Sequence, residues 1–156
     1  MKEIKISLDM IDKARHKAEE MGKLYNSILK GKGNIAGFIG EQIALECVGG
    51  TWDNTYSHDI TLSNGKKVDV KTKQTSVEPL PYYDCSVANF NTKQECDTYA
   101  FVRVKNDFTV GWYLGSMDKK EYFEKATFMQ KGEIDPSNNY MVRADCYNLK
   151  IKQLYV

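Results

Sequence analysis

Three acidic residues and one lysine stand at spacings that would let them act together around a divalent cation. Asp69 and Lys71 are two positions apart in Val68-Asp69-Val70-Lys71, Asp59 lies earlier in the same region, and Glu41 precedes it in an apolar segment. Mg²⁺ takes a few carboxylate oxygens and keeps several waters. A lysine beside it could orient an attacking water or hold a phosphate oxygen. The chemistry indicated is metal-assisted hydrolysis.

The alternation of apolar and polar residues from His58 to Thr72 predicts a β-hairpin with its turn at residues 63–65. Successive side chains of a strand point to opposite faces, so the apolar positions should face the core together. His58 has the parity of Ile60 and is predicted to be a buried histidine rather than a ligand. The opposite face would carry the polar set: Asp59, Thr61, Lys67, Asp69, Lys71 and Lys73.

The length of the turn decides whether the two aspartates meet. A two-residue loop would place Asp59 opposite Val70, which conflicts with the apolar pattern. A three-residue loop over 63–65, with Gly65 in the left-handed conformation, would place Asp59 opposite Asp69. We predict the three-residue loop. Adjacent carboxylates repel each other, and a cation held by both side chains, with the Val70 carbonyl as a further ligand, relieves the repulsion.

Two helices should precede the hairpin. Ser7 is a candidate N-cap for an amphipathic helix that extends over about residues 7–30. Asn34 is a candidate N-cap for a second helix, which is apolar nearly all round and ends at Gly49 and Gly50. A helix of this kind is normally buried.

An acid on the second helix needs a partner, because an isolated buried charge is costly. Glu41 lies among apolar residues on one side of this helix and is the candidate third carboxylate of the metal site. Glu46 takes that role if the helix is rotated.

The remaining chain predicts strands near Tyr82 to Ala88, Thr98 to Lys105 and Thr109 to Leu114. Asp118 is a candidate cap of a short helix, and a terminal stretch that ends with residues 149–152 is expected to add an edge strand. Together these elements predict one domain over residues 1–156, of the α/β or α+β class, around a mixed sheet.

Composition excludes some functions. The 22 basic and 21 acidic residues give a formal net charge of +1, so any nucleic-acid contact must come from a local patch rather than from a global field. There is no long apolar run or signal peptide, and the four cysteines form no CxxC pair. We therefore expect a cytoplasmic protein with reduced cysteines and no membrane contact.

Three segments together resemble a known family: Gly37-Phe38-Ile39-Gly40-Glu41, His58-Asp59-Ile60 and Val68-Asp69-Val70-Lys71. They are similar to the motifs of PD-(D/E)XK nucleases, including small stand-alone members from phages and bacteria. His58 stands where the family name has proline. The resemblance covers roughly residues 34–73.

The resemblance implies a restriction-endonuclease-like core, a central mixed β-sheet flanked by helices. It also implies a deoxyribonuclease that depends on Mg²⁺ or Mn²⁺, with catalytic residues Glu41, Asp59, Asp69 and Lys71. DNA is then the expected partner, with RNA or branched DNA left open. A homodimer would suit double-strand cutting.

Candidate nucleic-acid contacts are Lys73 and Gln74, which continue the second hairpin strand, and Lys67 near the turn. A solvated strand end explains Lys73 and Gln74 about equally well, and Lys67 at the hairpin tip is more easily explained as solvated. Tyr82 and Tyr83 could stack on bases or could belong to the core. Two alternatives stay open: a nucleic-acid-binding or protein-interaction module that does not cut, and a structural domain in which the hairpin acids are simply solvated.

Overall fold

The computed structural model describes residues 1–24, 35–53, 55, 57–89, 92 and 94–156. Its helices are α1 (Leu8–Leu24), α2 (Ile35–Val48) and α3 (Lys119–Lys125), with a 3-10 helix at Ile151–Gln153. The first seven strands are β1 (Lys2–Lys5), β2 (Thr51–Trp52), β3 (Ile60–Thr61), β4 (Lys67–Thr75), β5 (Asp84–Ala88), β6 (Thr98–Lys105) and β7 (Val110–Asp118). The last four are β8 (Thr127–Met129), β9 (Ile134–Asp135), β10 (Tyr140–Met141) and β11 (Cys146–Lys150).

Six of the strands form a mixed sheet in the order β1-β7-β6-β4-β3-β2. The pair β4 and β6 is parallel, and the other neighbours are antiparallel. A second, antiparallel sheet has the order β5-β11-β8, and β9 pairs with β10 as a short hairpin. The chain is therefore of the mixed α and β class that the sequence predicts.

The large sheet is covered differently on its two faces. Helix α2 packs on β4, β6 and β7, and α1 packs on α2. The core on this side includes Ile39, Ile43, Val68 and Val102. On the opposite face, residues of β6 and β7 pack against β5, β11 and α3 in a second core that is rich in aromatic residues. Helices α1 and α2 therefore cover one face of the large sheet, while the small sheet and α3 cover the other.

Helix α2 approaches β4 closely at Gly40. A Cβ atom at this position would overlap the Thr72 side chain. At Gly37, one turn earlier on the same helix, a Cβ atom would meet nothing within 4 Å. The absence of a side chain at Gly40 thus sets how near α2, and with it Glu41, can lie to the strand.

We expect Gly40→Ala to destabilise the protein by about 1–3 kcal/mol, because the added methyl group overpacks a tight contact. Gly37→Ala is the matched control and should be neutral or stabilising by up to about 1 kcal/mol, since alanine favours a helix over glycine. Urea denaturation of both variants measures the difference. Equal stability of the two variants would contradict the close approach.

Several sequence predictions are confirmed. Ser7 caps α1, where its Oγ accepts the Met10 N–H at 3.2 Å. Helix α2 ends at Val48, and Gly49 follows with a φ of +74°. The predicted strand over 98–105 has the observed bounds of β6. The predicted N-cap Asn34 and the predicted continuation of α1 to residue 30 lie outside the described residues.

Other predictions are wrong in detail. The C-terminal strand β11 is the centre of the small sheet rather than an edge, and a 3-10 helix follows it at Ile151–Gln153. Asp118 precedes α3 as predicted, but its side chain makes no capping hydrogen bond, because Oδ1 accepts from Thr98 at 3.0 Å. Strand β7 continues to Asp118, past the predicted end at Leu114.

Candidate active site

The hairpin has the predicted three-residue turn. Ile60 pairs with Val68, and Gly65 has a φ of +84°. The ladder between β3 and β4 ends at Ile60, so Asp59 lies just outside it, and the Asp59 N–H donates to the Val68 carbonyl at 2.8 Å. Asp59 therefore lies beside β4, one residue before the paired part of β3. It is near Asp69 but does not form the regular cross-strand pair with Asp69 that the sequence predicts.

The end of this ladder leaves a gap along one edge of β4. Strand β3 pairs only with Lys67 and Val68, so the same edge has no strand partner from Asp69 onward among the described residues. Asp59 fills part of the gap, because its Oδ2 accepts the Val70 N–H at 2.7 Å. The N–H and C=O of one extended residue leave the strand on the same side, so the Val70 carbonyl also faces this gap.

Glu41 reaches the same region from α2. Its side chain is buried, and its Oε2 accepts hydrogen bonds from Trp52 Nε1 at 2.5 Å and Lys17 Nζ at 3.1 Å. Lys17 Nζ also donates to the Asp53 carbonyl at 2.9 Å and lies 3.9 Å from the centre of the Trp52 ring. Glu46 is exposed, so the helix presents Glu41 rather than Glu46 to the site.

The three carboxylates influence one another. Burial, followed by the charges of Glu41 and Asp69, raises the pKa of Asp59 to about 8. Burial also raises the pKa of Glu41, against the opposing effects of Lys17 and Trp52. A raised carboxyl pKa means that the surroundings disfavour the negative charge. Burial and mutual repulsion therefore disfavour full ionisation of the three acids, even with Lys17 beside Glu41 and Lys71 beside Asp69.

Asp69 and Lys71 form the part of the site on β4. Asp69 is only 4% exposed. Lys71 Nζ lies 2.7 Å from Asp69 Oδ2 and donates to Gln94 Oε1 at 2.7 Å. The contact with Asp69 lacks hydrogen-bond geometry, so the buried Oδ2 accepts no hydrogen bond in the described part of the chain. A buried oxygen of this kind is costly unless another ligand satisfies it.

The residues fit a hard divalent cation in chemistry. Carboxylate oxygens and a backbone carbonyl are the ligands of Mg²⁺. A cation would relieve the unfavourable environment of the Asp59 charge, and it would add a ligand to the buried Asp69 Oδ2, which already lies 2.7 Å from Lys71 Nζ. Within residues 1–24, 35–53 and the later described segments, no three His, Cys, Asp or Glu side chains already stand in metal-binding geometry. Lys17, Trp52 and the Val70 N–H instead engage oxygens of Glu41 and Asp59.

The other sequence candidates are placed as follows. His58 is buried as predicted, with Nε2 2.9 Å from Asp53 Oδ2 and Nδ1 2.9 Å from Ser57 Oγ. Lys67, Lys73 and Gln74 are exposed on β4. Their exposure would allow contact with a phosphate group, but simply solvated side chains would be exposed in the same way.

Sequence reasoning missed Lys17, Trp52 and Gln94. The burial of Lys17 could have been predicted from the helical period of α1. Lys17 is next to Ala18 and three residues after Ala14, so it lies on the side of the helix that faces the core. Its burial therefore required a buried anion. Trp52 and Gln94 come from a two-residue strand and a loop, and no periodicity marks them.

Comparison with known proteins gives no assignment: no protein-family model matches the chain, and no curated protein matches it. Among the described residues, no helix is both long enough and apolar enough to cross a membrane.

Proposed function

We propose that this protein is a DNA nuclease that depends on Mg²⁺ or Mn²⁺ and has a restriction-endonuclease-like core. One observation carries the proposal: Asp59, Asp69 and Glu41 converge, partly or fully buried, at the unpaired edge of β4 beside Lys71. Buried like charges are expensive. Their retention in one place is expected where a cation has to be bound.

The topology supports the same proposal. An antiparallel run of β2, β3 and β4 is followed by β6, which is parallel to β4, and α2 packs on this sheet. In the resembling family, a helix with a glutamate precedes a hairpin that bears the aspartate and the lysine motif. The order of elements in this chain agrees with that pattern, while fold alone does not imply activity.

Each residue has a distinct proposed role. Asp59, Asp69 and Glu41 would hold the cation, with the Val70 carbonyl as a further ligand. When bound, Mg²⁺ acts as a Lewis acid toward the phosphate and lowers the pKa of a water. Lys71 is oriented by Asp69 and Gln94. From that position its ammonium group can hold a phosphate oxygen or orient the attacking water.

Incubation with labelled single-stranded, duplex and branched DNA, and with RNA, tests the proposal. We expect wild-type protein to cleave DNA in Mg²⁺ or Mn²⁺ and not in EDTA. Lys71→Ala should lower the rate by roughly 100-fold or more, since it removes a positioned charge at the reacting phosphate. Asp69→Asn should remove activity.

Asp118→Asn is the matched control, since Asp118 ends a strand of the same sheet but is exposed. It should cleave at the wild-type rate. Circular dichroism should show that all variants are folded. Cleavage that persists at the wild-type rate in both Lys71→Ala and Asp69→Asn would refute the assignment.

A module that binds nucleic acid without cutting is the second candidate. The observation in its favour is that no three ligand side chains among the described residues already hold metal-binding geometry. Calorimetric titration with Mn²⁺ separates the two candidates: the nuclease requires saturable binding that Asp59→Asn weakens, whereas the binding module does not.

A further inference from the structure

Two adjoining clefts open beside the candidate active site. One, of about 410 Å³, lies between the ends of β4 and β6 and the segment that carries β9 and β10. The other, of about 330 Å³, continues past Tyr82 and Tyr83, and the two share Lys73, Asp84, Arg103 and Asn138. Lys71 lines the first cleft, so the candidate active site and the clefts form one continuous surface.

The charge of this surface is mostly positive. The cations that line it are Lys71, Lys73, Arg103, Arg143 and Lys150, and the acids are Asp84 and Asp135. Both acids are already engaged. Asp84 pairs with Lys150 at 2.7 Å, and Asp135 accepts hydrogen bonds from the Ser137 N–H at 2.9 Å and Oγ at 2.7 Å.

Arg103 is the strongest indication of an anion. Arg103 is 7% exposed. Within the described part of the chain, no carboxylate lies within ion-pair distance of its guanidinium group. Its Nη2 donates to the Asp84 carbonyl at 2.9 Å, and the group lies 5.6 Å from the Tyr83 ring centre. A guanidinium has five N–H donors, and toward the described residues the Arg103 group makes this one hydrogen bond, so further donors can bind a ligand.

Lys73 stands beside Arg103, because the two residues are paired in register on β4 and β6. Desolvation and the charge of Arg103 both lower the pKa of Lys73. The charge of Asp84 opposes this lowering, but no carboxylate in the described part of the chain forms an ion pair with Lys73 or Arg103. The two cations repel each other, and a bound phosphate would offset that cost. Lys73 is two residues beyond Lys71, about 6.6 Å along the strand, which is on the scale of one nucleotide step.

Exposed aromatic residues flank these cations. Tyr140, on β10, is 50% exposed and lines the first cleft, and Tyr82 is 61% exposed and lines the second. Aromatic side chains beside a basic groove are typical of sites where bases of an unpaired strand stack. Cavities of a few hundred Å³ accept a ligand of nucleotide size, and they are too small for a double helix.

We propose that these clefts bind a single-stranded DNA segment, with one phosphate at Lys73 and Arg103 and neighbouring bases on Tyr140 and Tyr82. The inference rests on the proposed nuclease function and specifies its substrate class as unpaired DNA. Lys71 then meets the phosphate next to the one held by Lys73 and Arg103. Arg143, which is exposed at the rim, contacts the strand where it enters.

Fluorescence anisotropy in EDTA tests the proposal with a labelled twelve-nucleotide oligothymidylate and a matched duplex. The wild-type protein should bind the single strand more tightly than the duplex. Tyr140→Ala should weaken single-strand binding about tenfold, as loss of one stacked base does. Lys73→Gln and Arg143→Gln should each lower the slope of log K against log salt by about 0.7.

Matched controls are Tyr155→Ala and Lys5→Gln. Tyr155 is 56% exposed beside α3, and Lys5 is an exposed strand residue at the opposite edge of the large sheet. Both should bind as the wild type does. The cleft proposal is overturned if the controls weaken binding as much as the cleft variants, if the duplex binds better, or if no single-strand binding occurs.

Cleavage assays on the same proteins separate this proposal from the proposed function. If single-stranded DNA binds in a way that depends on Tyr140 and Lys73 but is not cleaved in Mn²⁺, the nuclease assignment is wrong and the proposed binding site in the clefts is supported. If the wild-type protein cleaves DNA and the cleft variants bind and cleave it normally, the nuclease assignment is supported and the proposed binding site in the clefts is wrong.

Discussion

Asp59→Asn is expected to raise the stability of the metal-free protein at pH 8 by about 1–2 kcal/mol while removing its activity. Burial, followed by the charges of Glu41 and Asp69, raises the pKa of Asp59 to about 8, so the site disfavours its charge. Asparagine keeps an oxygen that can accept the Val70 N–H. The substitution therefore removes the repulsion and retains the hydrogen bond, which is a familiar trade between stability and function.

The same shift fixes the direction of the pH dependence. The pKa of Asp59 rises from an ordinary value of 3.8 to about 8 on folding, so the folded protein binds more protons than the unfolded chain between these values. The stability that Asp59 contributes is then fully present below its ordinary pKa of 3.8 and is lost as pH rises through about 8, by at most about 1.4 kcal/mol per pH unit. Glu41, whose pKa is also raised, acts in the same direction.

Thermal unfolding in EDTA from pH 4 to 8 measures this effect. The wild-type melting temperature should fall relative to that of Asp59→Asn as pH rises, and Asp59→Asn should melt roughly 2–8 °C higher at pH 8. In buffer without EDTA, Mn²⁺ at one hundred times the dissociation constant of its site should stabilise the wild type by about 2.7 kcal/mol. Asp118→Asn, an exposed control, should stay within about 0.5 kcal/mol of the wild type. A lower melting temperature for Asp59→Asn at pH 8 would contradict the crowding.

The sequence predicted the parts of the site that local patterns encode. Strand parity and the Gly65 turn set the position of Asp69 relative to the hairpin, and the apolar helix marked Glu41 as a buried acid. These inferences need only the two-residue period of a strand and the helical period of α2. The end of the β3 ladder at Ile60 was beyond such patterns, because it depends on the Val68 carbonyl accepting the Asp59 N–H.

The small sheet and the hairpin of β9 and β10 could not be predicted from local patterns. Strands β8 to β10 are two or three residues long, which is too short to show a period. Strand β11 is central only because β5 and β8 reach it from distant parts of the chain. The cleft cations have the same origin, since parallel pairing of β4 with β6 brings Lys73 to Arg103. Long-range pairing of this kind leaves no local signal.

Lys17→Met is expected to destabilise the metal-free protein by about 3–5 kcal/mol, the usual cost of removing one partner from a buried ion pair. Lys17 and Glu41 are both buried, and their side chains lie 3.1 Å apart. Lys13→Met is the matched control on the same helix. Lys13 pairs with Asp9 at 3.0 Å, but both side chains are well exposed, so its loss should cost less than about 1 kcal/mol. Urea denaturation at pH 8 compares the two.

The double variant Lys17→Met/Glu41→Gln distinguishes the charge of Glu41 from simple loss of packing. If the unpaired carboxylate causes the loss, the second substitution should recover most of the stability, because no buried charge remains. Mn²⁺ should also stabilise Lys17→Met more than it stabilises the wild type, since Lys17 and a cation would compete for the same carboxylate. If Glu41→Gln restores stability but Mn²⁺ stabilises Lys17→Met no more than the wild type, the pair of Lys17 and Glu41 is purely structural. Glu41 is then not one of the metal ligands. If Lys17→Met costs no more than Lys13→Met, the ion pair contributes nothing, and α1 has no electrostatic part in holding the site.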